Sequence, residues 1–165
     1  MTQLSPTAEP DADIWRPHVT VATVVPHDGR FLLVEEDVRG SIVLNQPAGH
    51  LDPDESLQEA AVRETLEETG WHVALTSLLG IQQWQSLSGR QFVRFTFAAD
   101  ALHHDAHRRL DTGIVRALWM SRDDLAAAGP RLRSPMVLAS VDDWISGLRL
   151  PLQSIRQLPA GFPAP

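Results

Sequence analysis

Between Gly49 and Trp71 the chain carries seven carboxylates, Asp52, Asp54, Glu55, Glu59, Glu64, Glu67 and Glu68, with a single cation, Arg63, among them. Few local structures tolerate such a run. Ser56 followed three residues later by Glu59 has the form of a capping box, and Gly70 has the form of the left-handed residue that closes a helix. Together they predict a helix over 57–69. On that helix Glu64, Glu67 and Glu68 stand at i, i+3 and i+4, so three carboxylates share one face and reach a common point. Glu59, Arg63 and Glu67 form a second row, and Ala61, Val62, Thr65, Leu66 and Thr69 supply a less polar side to pack on a sheet. Like charges at i+4 destabilise a helix by roughly 0.2–0.5 kcal/mol per pair, and one arginine does not balance them. Two readings follow: a solvated acidic surface, or a site whose missing positive charge is a divalent ion. Oxygen donors grouped in this way suit Mg²⁺ or Mn²⁺.

The rest of the composition limits what such a site can serve. With 165 residues, 43% hydrophobic and 21% charged, the chain has the size and make-up of one soluble globular domain. A formal charge of −7, from 21 acids against 14 bases, argues against a broad nucleic-acid or anionic-membrane surface and leaves room for a local basic pocket that takes the phosphate of a small molecule. An anionic substrate would need the metal. The absence of cysteine removes disulfides, thiolate zinc sites and cysteine nucleophiles. The first residues have neither a basic start nor an apolar core region, and no later apolar run approaches the length of a membrane span, which predicts a cytoplasmic protein.

Taken in order, residues 1–16 read as a flexible leader, 17–158 as the folded domain and 159–165 as a flexible tail. His18 to Val25 alternates and is β-branched, a strand; Pro26 to Gly29 is a turn, and Arg30 to Glu35 a second strand, which predicts a hairpin. Ser41 to Leu44 is a third strand that runs into the loop Asn45–Gly49. Beyond Gly70, Val73–Leu79, Ile81–Gln85, Gln91–Ala99 and Ile114–Met120 read as strands, and 101–112 as a polar loop. Arg122–Ala128 reads as a short helix and Pro135–Gly147 as a longer one, with Met136, Leu138, Ala139, Val141 and Ile145 inward. The pattern is α+β: a mixed sheet flanked by helices.

Gly49, Glu55, Arg63, Glu64, Glu67, Glu68 and Gly70 match every fixed position of the Nudix box, G-x5-E-x7-R-E-U-x-E-E-x-G-U, where U is a bulky aliphatic residue. At ordinary residue frequencies of roughly 5–10% such a coincidence arises on the order of once in 10⁸ starts. Thr65 and Trp71 depart from the pattern at two U positions, which concern packing rather than chemistry. The chain thus resembles the Nudix hydrolases. That resemblance implies an α/β/α sandwich and metal-dependent cleavage of a phosphoanhydride. It implies Glu64, Glu67 and Glu68 as metal ligands, with a backbone carbonyl of Ala48 or Gly49, and Arg63 as the residue that orients Glu64 and ties the helix to the preceding loop. Glu55 would brace that loop, and Gly49 and Gly70 are structural members of the motif. Water would attack phosphorus in line, with Glu64, Glu67 or, outside the box, Asp111 as general base; a solvated loop aspartate is the alternative for Asp111.

Stretches at 17–25, 44–56, 82–84, 92–98 and 132–137 further resemble a bacterial phosphatase branch of the family. That branch implies nucleoside tri- and diphosphates and 4-amino-5-hydroxymethyl-2-methylpyrimidine pyrophosphate as substrates, with orthophosphate released. Four residues outside the box each carry two readings. Trp84 either stacks on a base or belongs to the core. Arg94 either grips a phosphate bidentately or forms a surface salt bridge. Gln46 hydrogen-bonds a base or satisfies loop backbone, and Arg133 closes the pocket or marks the entry to a helix. His50 reads as a loop residue, because Mg²⁺ prefers oxygen. His103, His104 and His107 invite a zinc reading that a polar, mobile loop would not support. The rival functions are a nucleotide-pool sanitiser that releases pyrophosphate, an RNA 5′-end pyrophosphohydrolase and a silent nucleotide-sensing module. The last would be free to lose box glutamates, and all are present.

Overall fold

The computed structural model of the chain describes residues 14–159 and 161. Most of the expected leader, residues 1–13, and the tail residues 160 and 162–165 lie outside them. Among the described residues eight strands and three α-helices follow in order: β1 His18–Val24, β2 Pro26–His27, β3 Arg30–Val38, β4 Ser41–Asn45, β5 Ala48–His50, α1 Leu57–Thr69, β6 Trp71–Gln85, β7 Gln91–His104, β8 Ile114–Ser121, α2 Arg122–Ala128 and α3 Met136–Ile145. Among the described residues no helix is long and apolar enough to cross a membrane.

The strands form two sheets. One has the order β5-β1-β7-β6 and is mixed, since β1 runs parallel to β7 while β5 and β6 are antiparallel to their neighbours. The other places β3 between β8 and the pair β2 and β4, all antiparallel. The fold is α+β, and α1 and α3 cover opposite faces of the first sheet. Val21, Leu78 and Phe97 meet Ala60 and Ala61 of α1, whose small side chains admit close approach. Val24, Leu79 and Ala98 meet Val137 and Val141 of α3, together with Phe31, Leu33 and Leu125. A strand clad on both faces buries residues on both, so Val21, Ala22, Val24 and Val25 are all buried despite the alternation read from the sequence.

Three local expectations are corrected. The first two predicted strands do not pair as one hairpin: β1 lies between β5 and β7, and β3 lies in the other sheet. Only Pro26–His27 turns back on Arg30–Phe31, and Leu32 N–H still reaches Val25 O at 3.0 Å where the chain changes sheets. Both strands are apolar enough to be central, so each requires two neighbours, a demand that a turn signal does not reveal. The polar stretch after residue 100 begins as strand: Ala101, His103 and His104 pair with Val73, His72 and Trp71. Its polarity reflects an exposed hairpin end. On α3, Met136, Leu138 and Val141 face the core as expected, but Val137 and Ser140 are buried there as well, whereas Ala139 and Ile145 are exposed.

Helix α1 keeps its expected limits. Ser56 accepts from Glu59 N–H and the Glu59 carboxylate accepts from Ser56 N–H; Gly70 ends the helix at φ 71° with its N–H on Leu66 O. The buried face, however, includes Glu64 and Glu68 beside Ala60, Ala61, Thr65 and Thr69. Two acids therefore point into the protein rather than into solvent.

Candidate active site

Arg63 organises the acidic residues. Its guanidinium donates to Glu55 through Nε at 2.9 Å and Nη2 at 2.7 Å, to Glu64 Oε1 at 2.9 Å, to Glu67 Oε2 at 3.0 Å and to the His50 carbonyl at 3.2 Å. Helix and preceding loop are thereby joined at one cation. The Arg63 bond, with a further one from Asp52 N–H, holds the Glu55 carboxyl below its usual range. Glu64, 9% exposed, lies so close to Gly49 that a Cβ there would stand 2.1 Å from its carboxylate carbon. The box glycine is thus a space requirement, since its φ is not positive.

Glu68 is 8% exposed and accepts one hydrogen bond, from Ala48 N–H at 2.8 Å. Burial pushes its carboxyl up to about 9, and burial likewise raises Glu64. The Glu36, Glu64 and Asp111 charges add to the rise at Glu68. Ladder bonds at Leu51–Val19 and Thr23–Pro47 alternate along β1 and β5, so Ala48 turns its own N–H and C=O away from β1. Its carbonyl is then exposed to the same side as Glu68, while that of Gly49 belongs to the ladder.

These donors fit a hard divalent cation. Glu64, Glu67, Glu68 and the Ala48 carbonyl are all oxygen, and a buried carboxylate with no cation on it is the state that a bound ion would relieve. Among the described residues no three His, Asp or Glu side chains stand in a ready ligand geometry. Arg63 engages one oxygen each of Glu64 and Glu67.

Beside Glu68 opens a cavity of about 140 Å³ lined by Thr20, Glu36, Asn45, Trp84, Phe92, Arg94, Arg133, Ser134 and Met136 as well as Ala48, Gly49 and His50. Arg94 projects from β7 and is 5% exposed. Its Nη1 reaches Gln46 Oε1 and its Nη2 reaches Asn45 Oδ1, each at 3.3 Å, and no carboxylate is paired with it among the described residues. Burial lowers its pKa to about 10. It is therefore neither a surface salt bridge nor a free two-pronged fork. Asn45 passes the interaction on, donating to Glu36 at 2.7 Å.

The other expected residues divide. Gln46, 1% exposed, donates to Val137 O and accepts from Arg94, which places it behind the cavity wall as a brace. Trp84 is half-buried on the wall and stacks on Phe92, ring centroids 5.5 Å apart. Arg133 sits at the rim, 3.5 Å from Glu36, with its N–H on Leu44 O. Asp111 is exposed in the loop before β8; its N–H donates to Glu67 O at 3.1 Å, and its charge acts on Glu64 and Glu68. His50 bonds His18 at 3.2 Å. His103 stacks on His72, and the His104 ring lies against Trp71 with a nitrogen 3.2 Å from Thr69 O, so neither belongs to a mobile loop. Glu36, Asn45, Thr20 and Ser134 carried no sequence signal, because pairings across two sheets bring them together.

A NUDIX domain model matches residues 15–139. The phosphatase NudJ of Escherichia coli (strain K12) is 41% identical over 142 residues, covering 86% of this chain and 92% of that protein. The chain belongs to the Nudix family. As a Nudix hydrolase it shares a solved fold with a NUDIX hydrolase from Nitrosomonas europaea, at a TM-score of 0.85 and 46% identity over 87% of this chain and 98% of that one. A MutT protein from Methanosarcina mazei Go1 matches at a TM-score of 0.65 and 21% identity, over 82% and 99%, and shows the fold alone. Nudix hydrolases generally use divalent metal ions, which agrees with the oxygen donors gathered on α1.

Proposed function

We propose that this Nudix hydrolase is a cytoplasmic phosphatase of the NudJ type. It would remove the terminal phosphate of nucleoside tri- and diphosphates and of 4-amino-5-hydroxymethyl-2-methylpyrimidine pyrophosphate as orthophosphate, with Mg²⁺ or Mn²⁺. The similarity to NudJ over most of both chains supports the substrate class. The observation that carries the reading is the juxtaposition in one cavity of a buried carboxyl with no cation beside it, Glu68, and a buried cation without a carboxylate partner, Arg94. A phosphoanhydride with an organic group at one end and phosphates at the other spans these two environments.

In this reading Glu64, Glu67, Glu68 and the Ala48 carbonyl hold the ion, which when bound neutralises phosphate charge and makes water a better nucleophile. Arg63 fixes Glu64 and Glu67 relative to β5. The Asp111 carboxylate accepts a proton from the attacking water. Water oxygen joins the terminal phosphorus, the bridging P–O bond breaks, and orthophosphate leaves with the shortened organic phosphate retained by Trp84, Arg94 and Arg133. Low-dielectric walls around Glu68 strengthen each of these charge interactions.

The test is an assay with nucleoside triphosphates, nucleoside diphosphates and the pyrimidine pyrophosphate, with orthophosphate and pyrophosphate quantified separately. Orthophosphate from all three is the expected result. Pyrophosphate from triphosphates alone would make the protein a nucleotide-pool sanitiser, and no turnover with any divalent metal would make it a binding module. Glu67→Gln should lower turnover at least about 100-fold while circular dichroism is unchanged, as expected when one charge-stabilising group is lost; wild-type activity in that variant would remove Glu67 from the site.

A further inference from the structure

Among the described residues four buried side-chain atoms lack a hydrogen-bond partner: Thr20 Oγ1, Ser77 Oγ, Arg94 Nε and Ser134 Oγ. Three of the four belong to residues that line the cavity beside Glu68. Thr20, Arg94 and Ser134 are 7%, 5% and 6% exposed, so each is a polar group withdrawn from water without compensation. An isolated instance is ordinary, but three among the residues that line one cavity mark a missing partner. Thr20 and Arg94 are register neighbours on the parallel strands β1 and β7, and Ser134 faces them from the turn that starts α3.

The character of that partner follows from the wall. The ionisable residues of the cavity, Glu36 and Glu68 against Arg94 and Arg133, balance in formal charge, and Glu36 is already bound by Asn45 and faces Arg133. A phosphate is drawn to the ion that Glu68 would hold, which leaves the Arg94 end of the cavity to the organic group. A neutral ring would meet Trp84 and Phe92, which stack on each other, and Met136. Of the three orphaned groups Arg94 Nε–H can only donate, and the two hydroxyls can turn to donate as well. The complement is an acceptor on a flat heterocycle.

We propose that Thr20, Arg94 and Ser134 form a base-reading subsite that selects ring carbonyl oxygens, so that a keto-bearing purine or pyrimidine is preferred over its amino counterpart. This deepens the phosphatase reading above by naming which organic group the cavity accepts, and it gives Arg94 a base edge rather than a phosphate. An amino group set against the Arg94 N–H would leave both donors buried and unpaired, which is how a polar site rejects a near-isostere. The 4-aminopyrimidine pyrophosphate offers ring nitrogens but no ring carbonyl, and therefore ranks below a keto nucleotide.

Binding of inosine and adenosine 5′-monophosphates, which differ at one edge of the ring, 6-oxo with N1–H against 6-amino with a bare N1, tests this by calorimetric titration in the presence of chelator. Wild-type protein should bind the 6-oxo compound about ten-fold more tightly, the value of one to two hydrogen bonds. Thr20→Val and Ser134→Ala, near-isosteric changes whose folding is checked by thermal unfolding, should each shrink that ratio, and the pair should bring it close to one. Equal binding of the two nucleotides by the wild type, or a ratio that survives both substitutions, overturns the subsite. Should nucleotide turnover fail while the oxo preference and its loss in the variants hold, the phosphatase reading falls and the subsite stands.

Discussion

Gly49 illustrates how much of the site is decided by single residues. Its Cα faces the Glu64 carboxylate so closely that a methyl group would have to displace it. Gly49→Ala should therefore cost about 1–3 kcal/mol of stability, the usual penalty of overpacking, and turnover should fall because Glu64 moves; denaturant unfolding and steady-state kinetics check the two together. Glu68 makes a different prediction. Its carboxyl is raised from 4.5 to about 9 by burial, so the folded, metal-free state holds a proton that the unfolded chain releases. That contribution is fully present below about 4.5 and is lost as pH rises toward 9. In chelator, the unfolding temperature should decline between pH 5 and 9, and Glu68→Gln should flatten that slope. An unchanged slope would mean that the Glu68 proton is not coupled to folding.

At the scale of elements, α1 shows why the two departures from the box are tolerated. Thr65 occupies a position that the pattern gives to an aliphatic residue, and its hydroxyl meets Thr23 Oγ1 on β1 at 2.7 Å while donating to Ala61 O. A polar pair thus replaces an apolar contact, with both members buried. Thr65→Val alone should cost about 1–2 kcal/mol by leaving Thr23 unpaired, whereas Thr23→Val combined with Thr65→Val should cost less than the sum; a double-mutant cycle in urea reads the difference. Trp71, at the other departure, packs edge-on against Trp119 and stacks on His104. The limits of α1 were legible because capping and the left-handed glycine are local chemistry. Which face of it is buried was not, since Glu64 and Glu68 turn inward only because β5 and the cavity are there to receive them. On α3, Met136, Leu138 and Val141 turn inward as expected, but Ala139 and Ile145 do not, for a related reason: the buried stripe is set by β1, β3 and β6, which lie far away in sequence.

Across the whole molecule, the site is the place where two sheets and two helices meet. β5 and β7 belong to one sheet, Glu36 and Asn45 to strands of the other, and Ser134 to the approach to α3. An ion that binds only this folded arrangement stabilises the whole chain, by about 2.7 kcal/mol at a free concentration one hundred times its dissociation constant. Thermal unfolding should therefore shift upward with Mg²⁺ and return in chelator, and Glu67→Gln should reduce the shift; no shift in the wild type would remove the ion from the site. The sequence by itself determined the family, the helix that carries the acids and the oxygen-rich chemistry, because motif spacing and capping act within a few turns of chain. Only the tertiary structure decided that Arg94 is buried beside two amides, that Gln46 stands behind it, and that Thr20 and Ser134 face the same cavity. Those relations depend on strand order and on the crossing from one sheet to the other at Val25, which are settled by long-range burial rather than by any local preference.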